Sequence, residues 1–366
     1  MDITAKITGV EYKVLNTKSL TQISFEEFDI NSCPSCCCIS YDDNRFSLSK
    51  WVSPKRTRSY PFERVYNTLG FNKRITIIPI IKDEGIRGDR DFLQWDTVSL
   101  MSLLDVYVIF TYYIDAEKHK TRDNKVTNQK YDNSYVKAKI LEINDYHSSA
   151  LHWNLKEVKE SIPFILEKMK KAFQQMSEQY GVEFHNYNGI EVYRRHFTKG
   201  VNGFMNSSRH RAKLAQNRER LTTQPKELLI TQTKANITIR NYLGGLYYFT
   251  TDEIAIKNDK IFLIESKHTK RSKLPSIADI KDGLLKMILY CNLENVEVNK
   301  KSLVPIPVLK LSSENIIGEM STKSDSNTIK DFMVNNRFNK FQKETIIDVF
   351  KEANVNQFIV IIKYEK

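Results

Sequence analysis

The sequence predicts an α/β protein in which a mixed central sheet is flanked by helices and preceded by an N-terminal α/β elaboration. Two observations carry this. Apolar runs of strand length alternate with longer stretches whose apolar residues recur at helical spacing. The 366 residues, 41% hydrophobic and 27% charged, are enough to bury a large core in one big domain or two, which excludes a chain that stays disordered.

The opening segment, MDITAKITGVEYKVL, alternates polar and apolar residues as a strand does and lacks the apolar block of a secretory signal. Next comes WVSPKRTRSYPFERVY, basic and punctuated by Pro54 and Pro61, which cannot be regular helix throughout. Between them lie Cys33, Cys36, Cys37 and Cys38, four of the five cysteines. Cys33-Pro-Ser-Cys36 has half the spacing of a zinc knuckle, but no second Cys or His pair follows at a suitable distance, and the nearest histidine is His119. Reduced, partly buried thiols in a reducing compartment are the expectation.

RITIIPIIKDEG reads as a buried strand ending at Asp83 and Glu84, and SLMSLLDVYVIFTYY as a helix or a strand that periodicity leaves open. Its apolar part is too short to cross a bilayer and is interrupted by Asp105, so a soluble, cytoplasmic protein is expected. From Val158 the pattern is helical: Val158, Ile162, Ile165, Met169, Phe173 and Met176 share a face, with Gly181 placed as a C-terminal stop. Between Tyr193 and Leu221, basic residues set among glycine, asparagine and serine predict a flexible crossing and then a basic helix. This puts a domain boundary near residue 200, giving regions 1–200 and 201–366.

After residue 235 a small mixed sheet is expected. NITIRNY, GLYYFT, DEIAI and KIFLIE read as successive strands, SIADIKDGLLKMILYC as an amphipathic helix, VPIPVLKL as a strand, TIIDVFKEA as a helix and FIVIIKY as a closing strand.

A formal net charge of +12 and a pI near 9.2 suit a partner of dense negative charge, since each phosphate neutralised releases counterions. Arg194, Arg195, Arg209, Arg211 and Lys213, with Lys55, Arg56 and Arg58, are the candidate phosphate contacts. The chain has no GxxxxGK[ST] phosphate loop, so no nucleotide cofactor is expected, and no HExxH or Gly-x-Ser-x-Gly motif.

The chemistry sits in GLYYFTTDEIAIKNDKIFLIESKHTK. Side chains alternate along a strand, so Glu265 and Lys267 project from one face of an otherwise apolar run. Charges there need partners or a ligand. A bend at the KND turn brings Asp252 beside Glu265, two hard oxygen donors suited to Mg²⁺. The Lys267 ammonium then lies beside a metal-bound water, able to lower its pKa or to stabilise charge growing on a phosphorane.

Over residues 236–311 this pattern resembles the PD-(D/E)XK nuclease superfamily, which includes many type II restriction endonucleases. The resemblance implies a restriction endonuclease-like core in 201–366, with Asp252, Glu265 and Lys267 catalytic. Mg²⁺ would be held by Asp252, Glu265 and the Ser266 carbonyl and would orient a water for in-line attack on a phosphodiester. It further implies a homodimer that cuts double-stranded DNA at specific sites, with region 1–200 shaping the DNA cleft. Thr251 stands where the family usually has proline, Glu253 could exchange roles with Asp252, and Glu219 or Glu227 could supply the acidic residue that the family often adds from a preceding helix. The alternatives are another nuclease of this superfamily, acting in repair or RNA-targeting defence, and a non-catalytic nucleic-acid-binding protein. Asp83, Glu84, Asp89, Asp91 and Asp96 form an acidic cluster read as a turn with capping carboxylates. His268 faces away from Lys267, which suits a structural or phosphate contact.

Overall fold

The computed structural model describes residues 2–55, 60–198, 200–221 and 235–366. The α/β class is realised in several mixed sheets with accompanying helices. Two compact units divide the chain, Met1–Lys18 with Arg211–Lys366, and Ser19–His210. The first 18 residues therefore lie with the C-terminal unit, although the sequence reading placed them in the N-terminal region. Pairing explains this: in β1 (Asp2–Ile7) alternate residues Ile3, Ala5 and Ile7 are buried, and the strands that pair with it lie beyond residue 234.

The Ser19–His210 unit contains β2 (Thr21–Ser24), β3 (Cys36–Tyr41), β4 (Asn44–Lys50), α1 (Pro61–Thr68), β5 (Lys73–Pro79), β6 (Ile81–Asp83), β7 (Arg90–Phe92), α2 (Trp95–Leu103) and β8 (Tyr107–Thr111). It continues through β9 (Tyr113–Lys118), β10 (Val126–Tyr131), α3 (Asn133–Asn144), α4 (Ala150–Tyr180) and α5 (Asn188–Thr198) into α6 (Gly200–Leu221). Its main sheet has the order β2-β3-β4-β5-β8, with β3 and β4 antiparallel and the other neighbours parallel.

The stretch left open between helix and strand is both: α2 ends at Leu103, Asp105 takes a left-handed φ of 53°, and β8 starts at Tyr107. α4 is as expected, capped by the Ser149 hydroxyl at its start and by Gly181 at φ 58° at its end, with Val158 through Met176 of the apolar face buried. The flexible crossing is corrected. α5 and α6 fill it on either side of residue 199, because Ile190, Tyr193, Phe197 and Phe204 are spaced to bury one aromatic seam, with the Phe197 and Phe204 rings 4.4 Å apart.

The other unit adds β11 (Ala235–Asn241), β12 (Leu246–Thr251), β13 (Glu253–Lys257), β14 (Lys260–Thr269), α7 (Ile277–Cys291), β15 (Glu294–Val298), β16 (Lys301–Ser302), β17 (Val304–Ser313), β18 (Glu319–Ser321), α8 (Ser326–Asn335), α9 (Lys340–Asn356) and β19 (Ile359–Tyr364). Here the expected single sheet is two, ordered β12-β11-β1-β15-β16 and β13-β14-β17-β19-β18. Thr251 pairs with Ala235 in the first and Glu253 with Ile264 in the second, so Asp252 is the residue at which the chain changes sheets. β14 is antiparallel to β13 and parallel to β17, and α7 packs on both β14 and β17. Among the described residues, no helix is long and apolar enough to cross a membrane.

Candidate functional site

β14 shows why charge at its end is unusual. Ile261, Leu263 and Glu265 are buried in alternation, so the strand pattern that fills the core carries a carboxylate into it, 1% exposed, and sets Lys267 on the same face. Asn258, at φ 58°, makes the tight turn that returns the chain from β13. α7 starts at Ser276, whose hydroxyl accepts the Asp279 amide, and presents Asp282 and Lys286 one turn apart toward the β14 carboxylate and ammonium. Gly283 lies between them. A Cβ there would sit 2.7 Å from Leu309 Cδ1 and 3.4 Å from Lys267 Cε, so the helix approaches β17 as closely as glycine allows.

The four side chains alternate in charge. Lys286 Nζ donates to both oxygens of Glu265, at 2.8 Å and 2.7 Å. Lys267 Nζ lies 3.0 Å from Glu265 Oε1 and 2.5 Å from Asp282 Oδ2. Burial alone would favour a neutral Lys267, but the charges of Glu265 and Asp282 outweigh it and hold the ammonium above the ordinary lysine range.

Asp252 joins this strand end from the neighbouring edge, its Oδ2 accepting the Ser266 amide at 2.9 Å. A strand residue's amide and carbonyl point to the same edge, so the Ser266 carbonyl also faces the Asp252 side, past the last paired residue of β13. Glu253, the possible substitute for Asp252, belongs to the opposite face. It accepts the Ser266 hydroxyl at 3.0 Å and is bonded to the buried Lys310, which also lies 3.2 Å from Glu365.

The Mg²⁺ implied by the resemblance fits this donor set. Two carboxylates and a strand-edge carbonyl are hard oxygen donors, and the buried Glu265 already carries a cation, the Lys286 ammonium, on both oxygens. Among the described residues no three His, Cys, Asp or Glu side chains gather as a metal-holding group, so a metal here would have to be held by Asp252, Glu265 and the backbone.

The other candidates are distributed differently. Arg194 is committed to ion pairs, 2.9 Å from Glu191 and 3.6 Å from Glu167. Arg195 is exposed on α5, Arg209 lies on α6, and Lys55 is exposed before α1. Arg211, Lys213 and Glu219 fall on the α6 backbone; Arg56, Arg58 and Glu227 lie outside the described residues. The clustered cysteines are buried, with Cys33 and Cys37 in the hydrophobic core. In the acidic cluster, Asp83 accepts the Gly85 amide and pairs with His185, both through Oδ1, while Glu84 pairs with Lys82 and Lys125. His268 Nδ1 is 3.0 Å from the Ser312 hydroxyl, a structural contact.

Sequence reasoning missed Asp282 and Lys286. Their signal was an acid and a lysine one helical turn apart in the helix that follows the Glu-x-Lys strand. Comparison of the chain with protein-family models, curated proteins and solved structures returns no match.

Proposed function

We propose that the chain is a Mg²⁺-dependent, site-specific endonuclease that hydrolyses phosphodiester bonds of double-stranded DNA, a type II restriction enzyme on a PD-(D/E)XK core. The observation that carries this reading is the meeting of Asp252, Glu265, Ser266 and Lys267 at one end of β14, with a buried carboxylate that binds cations. The order of β13, β14, α7 and the parallel strand β17 supports it, being the order of strand, strand, helix and strand that the superfamily uses around its site.

In this reading Asp252, Glu265 and the Ser266 carbonyl hold the metal, which when bound supplies Lewis acidity and a water of lowered pKa. Lys267 stays protonated because Glu265 and Asp282 hold its proton, so it acts as a fixed positive charge against the phosphorane rather than as a general base. Asp282 fixes where that charge points. Exposed basic residues such as Arg195 and Lys55 would contact phosphate and position the duplex. A two-fold dimer would give one such site to each strand of a symmetric sequence.

The test is incubation of wild-type and Lys267→Ala protein with unmethylated duplex DNA in Mg²⁺, with an EDTA control. Discrete fragments from wild type alone, abolished by EDTA, are expected; intact DNA in every lane would overturn the restriction reading. A second reading has one observation in its favour. Glu265 is fully paired by two lysines, as it would be in a nucleic-acid-binding protein whose cluster is only an ion-pair network. DNA binding that survives both EDTA and Lys267→Ala, without cleavage, would select it.

A further inference from the structure

We propose that Lys286 is the resident counter-ion of Glu265 and competes with the divalent metal for it, so that the metal enters only as the Lys286 ammonium swings away. This rests on the metal-binding reading of Asp252 and Glu265 above.

The two lysines on Glu265 are held differently. Lys267 is tied at both sides, to Glu265 and to Asp282, and stays where it is when one partner is taken. Lys286 bonds Glu265 and, among the described residues, no other acceptor. Its ammonium covers both carboxylate oxygens, the same atoms a hard cation would take. The Lys286 side chain is 22% exposed and has a flexible four-carbon stem, so solvent is within reach when the carboxylate is claimed.

Charge balance points the same way. Asp252, Glu265 and Asp282 supply three negative charges against two ammoniums, leaving a deficit of one positive charge around the buried Glu265. A divalent ion brings two, and withdrawal of Lys286 restores neutrality. The lysine thus completes the pairing of a buried carboxylate before loading, since Lys267 reaches only one of its oxygens. It also raises the metal concentration needed for occupancy.

The test is Mn²⁺ binding to the full chain without DNA, read by electron paramagnetic resonance of the free ion, for wild type, Lys286→Met, Lys286→Arg and Glu265→Gln. Lys286→Met is expected to bind Mn²⁺ about tenfold more tightly than wild type, because a competing charge is gone. Lys286→Arg, which keeps the charge, is expected to bind no more tightly than wild type, and Glu265→Gln to lose the site. Thermal melts check that each variant is folded. Unchanged or weaker binding in Lys286→Met, with the site still lost in Glu265→Gln, would overturn the competition and make Lys286 a positioning residue for a genuine metal ligand. Tighter binding in Lys286→Arg would also overturn it, since charge would not be the cause. Wild-type affinity in Glu265→Gln, or no Mn²⁺ binding by any form, would remove the metal reading and this proposal with it.

Discussion

Glu265 and Glu352 lie in the same unit and are buried alike, at 1% and 0% exposure, yet they are satisfied in opposite ways. Glu352, on α9, accepts the Tyr12 hydroxyl at 2.7 Å, the Leu15 and Asn16 amides at 2.9 and 3.0 Å, and the Asn16 side chain at 2.7 Å. These donors are neutral and come from one short segment, and the two backbone amides among them cannot leave without moving the chain that follows β1. Glu265 is satisfied by two ammoniums on long side chains, each partly open to solvent. A carboxylate bound by fixed amides is part of the architecture, whereas one bound by an ammonium with no second partner, as Lys286 is among the described residues, can exchange that cation. Burial alone therefore does not distinguish the two acids; their partners do.

The contrast can be broken at several points. The largest effect is expected at Lys267: replacement by alanine should slow DNA cleavage about 10²–10³-fold, as removal of one fixed charge from a transition state does, with initial rates on a duplex substrate as the measure. Glu352→Ala should instead lower stability, by about 3–5 kcal/mol in urea denaturation, because several donors lose a buried charged acceptor at once. Cys291 offers a second reading of that variant. Burial and the nearby Glu352 charge push its thiol up to about 12, and losing Glu352 should make it more reactive toward thiol reagents at pH 8.

Gly283→Ala sharpens the comparison from the helix side. The added methyl would clash with Leu309 and reach ordinary van der Waals contact with the Lys267 stem. Alanine's helix propensity, worth about 1 kcal/mol over glycine, offsets the repacking, so melting should change little. Cleavage should fall up to about tenfold as α7, which carries Asp282 and Lys286, shifts away from Leu309.

The smallest effect concerns Glu84 of the Ser19–His210 unit, another carboxylate between two lysines, at 2.8 Å from Lys82 and 3.0 Å from Lys125. Burial would raise its pKa, but the two lysines outweigh that and bring it from 4.5 to about 2. Its folded-state pKa is lowered, so its stabilisation is present above pH 4.5 and is lost as pH falls from there toward 2. Glu84→Gln should flatten that part of the acid denaturation curve of the unit while leaving cleavage at neutral pH unchanged.

Much of this organisation was legible in the sequence because it is local. The alternation of IFLIE, the helical stripe ending at Gly181 and the amphipathic pattern of α7 each depend on residues close together in the chain. What was not legible is long-range. Nothing in the first seven residues shows that β1 will pair with Asn236–Asn241, and that pairing is what splits the expected single sheet in two. The aromatic seam of Tyr193, Phe197 and Phe204 was hidden by basic residues between its members. The site was half legible. Asp252, Glu265 and Lys267 are adjacent through one hairpin, whereas Asp282 and Lys286 look in sequence like the solvated face of an amphipathic helix, and only the packing of α7 on β14 turns them inward.

The most direct test of the distinction between these carboxylates is Glu265→Gln, assayed for Mg²⁺-dependent cleavage of unmethylated duplex DNA and for its melting temperature in the same preparation. A folded variant with a melting temperature close to wild type and no cleavage is the expected result. Cleavage at the wild-type rate, or unfolding of the variant as severe as that of Glu352→Ala, would contradict the account.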